Sequence, residues 1–211
     1  EGDADPSGRD IMGRLYDPLG TALGAEWRVN DVAHNNEYDM EIAALPNGGF
    51  ISVYTDLSDW SIYTRVYDST GSGDPSITVI DGAATAGLHR NPNIAAASNN
   101  LAFITYEVLN GLGDVDIVGR YFNPSSGAVF AENTIFNGGS GVGEGLEGHS
   151  VTALNNDTFV VAWADQDGSA TDNDDLQFSI VNIFTGASSP TTVYNSNAHS
   201  SDPHVTALTG G

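Results

Sequence analysis

Apolar residues along this chain come in short bursts, broken at close intervals by Gly, Pro, Asn and Asp. No stretch carries a 3.6-residue period, and the breakers recur too often for long helices, so the pattern predicts strands. Residues 42–54 (IAALPNGGFISVY) read as two strands joined at Pro46-Asn47-Gly48-Gly49. Asn-Gly is a strong hairpin signal because both residues accept positive φ. The stretch returns at 94–106 (IAAASNNLAFITY) and 151–163 (VTALNNDTFVVAW), and begins again at 205 (VTAL), with starts 52, 57 and 54 residues apart.

A second pair of bursts repeats out of phase with the first. Residues 11–20 (IMGRLYDPLG) alternate, with Ile11, Gly13 and Leu15 on one face and Met12, Arg14 and Tyr16 on the other. They return at 62–71 and 117–127, and in degenerate form at 176–186; the strand that follows, 26–30 (EWRVN), returns at 77–81, 133–137 and 191–195. One unit is therefore four strands in about 50 residues, the signature of a β-propeller blade. The second strand is apolar at nearly every position, as a strand covered on both faces must be. A lone four-stranded sheet cannot bury its faces; stacking blades does so. A β-sandwich is the competing all-β architecture, but it requires no repeat.

The expected fold is all-β: a β-propeller of about four four-stranded blades, or an arc of a larger ring. Its start is permuted, with strands three and four first and strand one last, fifteen strands in all. The chain is one β-repeat domain, 1–211, with units at 1–36 (partial), 37–88, 89–145, 146–198 and 199–211 (partial). Its ends, Glu1 and Gly211, read as cut points, so a longer polypeptide is expected. A strand lent by another chain could also complete the open blade.

Charge narrows the partners. Six basic residues, all arginine, stand against 28 acidic ones, for a net charge of −22. Nucleic acid and anionic membranes need clustered positive charge, so neither is expected, and no apolar run is long enough for insertion. Cysteine is absent, which excludes disulfides and thiolate metal sites. The acidity itself fits solubility or cation binding equally well.

The Ala-Leu-x-Asn-Gly-Gly-Phe-x-Val hairpin, alternating with Arg-x-Tyr-Asp-x-x-Gly and a strand ending in Val-Asn, resembles repeats of very large secreted bacterial proteins: the adhesin-like and RTX-associated proteins of type I secretion. The resemblance covers nearly the whole chain. It implies an extracellular or cell-surface location, propeller-like blades and a non-catalytic structural or adhesive role. It implies calcium through the company such repeats keep. The nearest match to the RTX nonapeptide, residues 138–143 (GGSGVG), lacks its Asp, so no calcium β-roll is expected.

Candidate chemistry is sparse. Acidic loops are expected between strands two and three. Asp3, Asp5 and Asp10 in the first unit, and Asp165, Asp167, Asp172 and Asp174 in the last, have the alternating oxygen ligands that Ca²⁺ requires. Solvated turn aspartates explain the same residues. Arg14, Arg65 and Arg120 share one repeat position, replaced by Ser179 in the last unit, and are expected to pair with carboxylates across or within blades. Of five histidines (His34, His89, His149, His199, His204), four lie just before strand one of a unit, at irregular offsets that argue against a shared metal site. Trp60, in a loop, is the candidate for stacking on a sugar, with Trp27 and Tyr63 as further exposed aromatics. The partners expected are the rest of the polypeptide or neighbouring subunits, and glycans. The rival readings are a carbohydrate-binding propeller, a subunit completed by strand exchange, and a glycosidase-type enzyme betrayed by a raised carboxyl in the central channel. Walker, Gly-x-Ser-x-Gly and zinc-protease motifs are absent.

Overall fold

The computed structural model describes residues 9–30, 36–74, 76–81, 87–110, 114–138, 144–167, 174–195 and 201–208. Among these there is no helix, and the strands fall into four antiparallel sheets. The first holds β1 (Met12–Gly13) and β2 (Trp27–Arg28). The second runs β3 (Glu37–Ala44), β4 (Phe50–Asp56), β5 (Ser61–Tyr67), β6 (Thr78–Asp81). The third runs β7 (Leu88–Ala96), β8 (Ala102–Leu109), β9 (Val115–Asn123), β10 (Ala128–Phe136). The fourth holds β11 (Glu144–Ala153), β12 (Thr158–Asp167) and β13 (Asp174–Asn182), with β14 (Gly186–Ala187) and β15 (Thr191–Asn195) both pairing β13. The strands number fifteen, but not the fifteen expected. The last strand four is split in two, and residues 205–208 form no strand.

The core lies between sheets. Along β8, Ala102, Ile104 and Tyr106 face the second sheet's Ile51, Val53 and Ile62. Phe103, between them, faces the fourth sheet's Phe159, Val161 and Trp163. Period-two alternation thus gives β8 two buried faces, which is why its sequence reads as continuously apolar. At the first junction Trp27 closes on Phe50 (6.5 Å) and Tyr67 (6.1 Å), with Phe50 and Tyr67 stacked at 4.6 Å. The inner strands β3, β7 and β11 touch in sequence, and each sheet packs face-on against the next.

Two local expectations need correction. Residues 45–49 do not form a two-residue turn with both central φ positive. Leu45 N–H donates to Gly49 O (2.8 Å), Gly48 N–H to Leu45 O (3.0 Å), and only Gly48 is left-handed (φ 88°). This is a three-residue loop ending in a left-handed residue, and residues 97–101 repeat it with Asn100 at φ 67°. Second, strand one begins five to seven residues before Ile42, Ile94 and Val151, because a bulge interrupts its pattern. The Tyr-Asp-x-x-Gly motif proves local. Asp17 Oδ1 accepts the Leu19 and Thr21 amides, Asp68 Oδ1 those of Thr70 and Ser72, and Gly20 and Gly71 take φ near 80° to close each turn.

Candidate functional site

Strand one carries the same irregularity in the three units whose strand one is described. On β3, residues 39 and 40 oppose one residue of β4; on β7, residues 91 and 92 oppose one of β8; on β11, residues 147 and 148 oppose one of β12. Each is a β-bulge with a left-handed residue in it. Asp39 (φ 50°), Asn91 (49°) and Gly148 (78°) stand three positions before Ile42, Ile94 and Val151. Asp202 (49°) stands three before Val205, on the segment 201–208. Asp, Asn and Gly are the types that enter this region at least cost. Pro92 sits inside its bulge, where a missing N–H breaks no ladder bond.

The three bulges and the left-handed turn at Asp202 converge on one open recess of about 450 Å³, within the usual range of small-ligand sites. Asp39 and Glu41 come from β3, Asn91 and Asn93 from β7, Gly148 and His149 from β11, Asp202 and His204 from the last segment. Gly148 is needed twice: its φ is left-handed, and a Cβ there would meet Asp202 Oδ1 at 2.8 Å and Asp202 Cα at 3.2 Å. Gly148→Ala is therefore expected to lower stability by about 1–2 kcal/mol through backbone strain, and to displace residues 201–208. A thermal melt and amide exchange at Val205 check both; Val205 N–H donates to Ser150 Oγ (3.0 Å) in the intact protein.

Beneath the recess is a buried polar cluster. Arg90 Nε donates to Glu107 Oε2 (2.9 Å), His149 Nδ1 stands 3.8 Å from Glu107 Oε1, and His149 Nε2 pairs with Thr105 Oγ1 (3.1 Å). Burial alone would raise the Glu107 carboxyl, but His149 and Asn91 beside it and the charge of Arg90 hold it below the usual range. Burial, then the Glu107 charge, pushes Asp39 up. Hydroxyl, imidazole and carboxylate stand in the order of a nucleophilic triad, but Thr105 is fully buried, so the cluster braces the bulges rather than reaching a substrate.

A second network spans the junction of the second and third sheets. Tyr106 O–H donates to Asp81 Oδ2 (2.6 Å), and Arg120 reaches Tyr106 Oη (3.1 Å), Asp81 Oδ2 (3.4 Å) and Glu132 Oε2 (3.2 Å). Burial works against the Asp81 charge, but the Tyr106 bond, Arg120 and His89 hold its carboxyl low, while burial and Asp81 raise Glu132.

The residues singled out from sequence do not converge. Arg14 meets Glu26 (3.9 Å) in its own sheet, and Arg65 donates to the carbonyls of Asp74 and Val29 (2.8 and 3.2 Å). Ser179 keeps the link from strand three to strand four through Ser188 O (2.8 Å). Asp10 is engaged by Arg28 (3.4 Å) and Asn30 (3.1 Å). Asp165 accepts from Gln177 (2.8 Å). Asp165 and Asp167 lie on β12 and Asp174 on β13, because the hairpin extends further than the sequence suggests, so these three are strand rather than loop residues. Asp3, Asp5 and Asp172 lie outside the described residues, as do His34 and His199. Trp60 closes the β4–β5 turn with φ 56°, half-buried, its carbonyl accepting the His89 amide (3.3 Å). Trp27 and Tyr63 are not exposed: Trp27 fills the first junction, and Tyr63 stacks on Tyr54 at 5.9 Å. Among the described residues, no three His, Asp or Glu are grouped to hold a metal.

No family model and no curated protein matches the chain. Among solved structures it is similar to a point mutant of a puromycin hydrolase complexed with PGG, with TM-score 0.52 and 15% identity over 90% of this chain and 32% of that one. At that identity the likeness concerns fold alone, and the fold is propeller-like.

Proposed function

We propose that this chain is a non-catalytic β-propeller module, structural or adhesive, of a secreted or cell-surface protein, and that the recess is its ligand-binding face. The observation that carries the reading is the contrast between backbone and side chains at the bulges. Three bulges and the segment 201–208 bring a left-handed residue of the same repeat position to one place, yet line it with Asp, Asn and Gly in turn. A repeated scaffold with non-repeating side chains is how a solenoid or propeller presents a binding surface. Carboxylates at Asp39, Glu41 and Asp202 beside amides at Asn91 and Asn93 suit the hydroxyls of a glycan, acceptors and donors side by side. The recess, rather than Trp60, is the place for such a ligand. The units themselves make either a ring of about four blades or an arc of a larger one.

Binding to a panel of immobilised oligosaccharides tests this. Asp39→Gly and Asp202→Gly remove the carboxylates and keep the left-handed backbone. Binding should fall at least tenfold in the double variant with little change in melting. Binding that survives would move the site elsewhere. The raised carboxyl of Asp39 on an inner strand favours a second reading, a glycosidase-type enzyme. Release of shortened sugars, lost in Asp39→Gly, would establish that one instead.

A further inference from the structure

The junction of the first and second sheets holds two buried carboxylates that no arginine meets. Glu37 and Asp56 stand directly opposite each other on β3 and β4. Opposed residues of an antiparallel pair share a face, with Cβ atoms about 4.5–5.5 Å apart. Glu37 is 3% exposed and Asp56 fully buried. Asp56 Oδ1 is held by the amide and hydroxyl of Ser58 (2.7 and 2.6 Å). Asp56 Oδ2 has no hydrogen-bond partner, and neither oxygen of Glu37 makes a well-formed hydrogen bond, the Asn30 side chain and the Glu37 and Asn36 amides being its nearest donors.

The next junction serves as an internal control. There the buried carboxylate, Asp81, is met by Arg120 and by the Tyr106 hydroxyl, with His89 nearby. His89 stands five positions before Ile94, as Glu37 stands five before Ile42. The first junction thus has an acid where the second has an imidazole. The arginines near the first junction are occupied: Arg28 on Asp10, Arg65 on two carbonyls, Arg9 over the Tyr38 ring (5.4 Å). The chain has no lysine. Burial, with the like charge of Asp56 behind it, raises the Glu37 carboxyl against the backbone amides of Glu37 and Asn36 and the Asn30 side chain, which favour its charged form. Buried carboxylates that face each other unpaired are tolerated when they coordinate a cation.

We propose that Glu37 and Asp56 form a binding site for Ca²⁺ between the first and second units. The free oxygens are hard ligands, one carboxylate with both oxygens open and one with a single oxygen open, and Ca²⁺ accepts such irregular sets where Mg²⁺ demands a near-ideal octahedron. The site is independent of the recess and of any ligand bound there. It also differs from the acidic hairpin ends of the sequence reading.

Thermal melts of the wild type, Glu37→Gln and Asp56→Asn, in EGTA and in millimolar CaCl₂ or MgCl₂ at fixed ionic strength, test it, with equilibrium dialysis of Ca²⁺ alongside. A ligand that binds only the folded state must raise its midpoint. The wild-type midpoint should rise by several degrees in Ca²⁺ and less in Mg²⁺. Glu37→Gln should lose that rise and one bound Ca²⁺ per chain, and in EGTA should melt above the wild type, since it removes one of two facing buried like charges. An equal calcium response in wild type and both variants would overturn the site, because the net acidity would then be binding the ion diffusely. A wild type that ignores Ca²⁺, yet melts higher at pH 5 than at pH 7 in EGTA, would overturn it too. A raised carboxyl contributes stability that is lost as pH rises, so that result would assign the pair a shared proton.

Discussion

Arg120→Ala is expected to destabilise the protein by about 3 kcal/mol, because breaking a buried ion pair from one side leaves the other charge behind. Arg120 is the cation between Asp81, 5% exposed at its side chain, and Glu132, and it also donates to the hydroxyl that holds Asp81. Replacing it strips the charge partner from a carboxylate that the fold keeps out of water. The loss should depend on pH in a definite direction. Asp81 is held below its usual range in the folded state, so its contribution is present above the unfolded value, about 3.9, and fades as pH falls through the folded one. The gap between wild type and Arg120→Ala should therefore be widest near neutrality and shrink below about pH 4. Urea unfolding at pH 7 and at pH 3.5 measures it; a gap that is the same at both would show that packing of the arginine stem, rather than its charge, carries the effect. Lysine at this position should restore only part of the loss, since one ammonium cannot span Tyr106, Asp81 and Glu132 as the planar fork does.

Trp163→Ala should cost as much or more, about 3–5 kcal/mol for a large aromatic removed from a packed core. Trp163 is fully buried on β12, 5.3 Å from Phe136, in the cluster that joins the third sheet to the fourth. For a chain of this size the midpoint should drop by on the order of 10 °C, at roughly 2–4 °C per kcal/mol. Trp163→Phe should behave differently. The indole Nε1 is buried without a hydrogen-bond partner, so the smaller ring loses volume but relieves an unmet donor. Its cost should be well under half that of alanine. Differential melting of the two variants reads the comparison directly. A phenylalanine variant as unstable as the alanine one would mean that the indole shape, not burial alone, sets the junction.

Legibility followed the strands that keep one rule along their length. Strand two was readable because β4, β8 and β12 are buried on both faces and therefore continuously apolar. Strand three was readable because Ile11 to Tyr16 alternate in burial as they alternate in type. Strand one was half hidden. Its bulge shifts the side-chain parity, and the left-handed Asp39, Asn91 and Gly148 look like turn residues. The signal was present: three positions before each repeat start stands an Asp, Asn or Gly, with Pro92 and Pro203 next in two units. It acquires meaning only when the four positions meet around one recess. That Arg120 would meet a carboxylate across or within blades was expected, but which carboxylate was beyond reach for a different reason. Asp81 and Arg120 are 39 residues apart, and nothing local in either segment points to the other. The acidic hairpin ends drew attention by their density, whereas the carboxylates with unmet oxygens, Glu37 and Asp56, sit one at the head of a strand and one at the tail of the next.

The order of strands within each sheet has a consequence for how the protein folds. The second and third sheets are meanders in which every strand pairs with its neighbour in sequence. A chain closing such a hairpin closes only a few residues of loop, and loop closure is the part of the barrier that grows with sequence separation. Each unit can therefore organise within its own fifty residues as the chain emerges, and the contacts between units, Phe103 on Phe159 or Tyr67 on Trp27, come one neighbour at a time. Vectorial emergence would suit this architecture. The first two complete sheets would be docked before the last had left the ribosome.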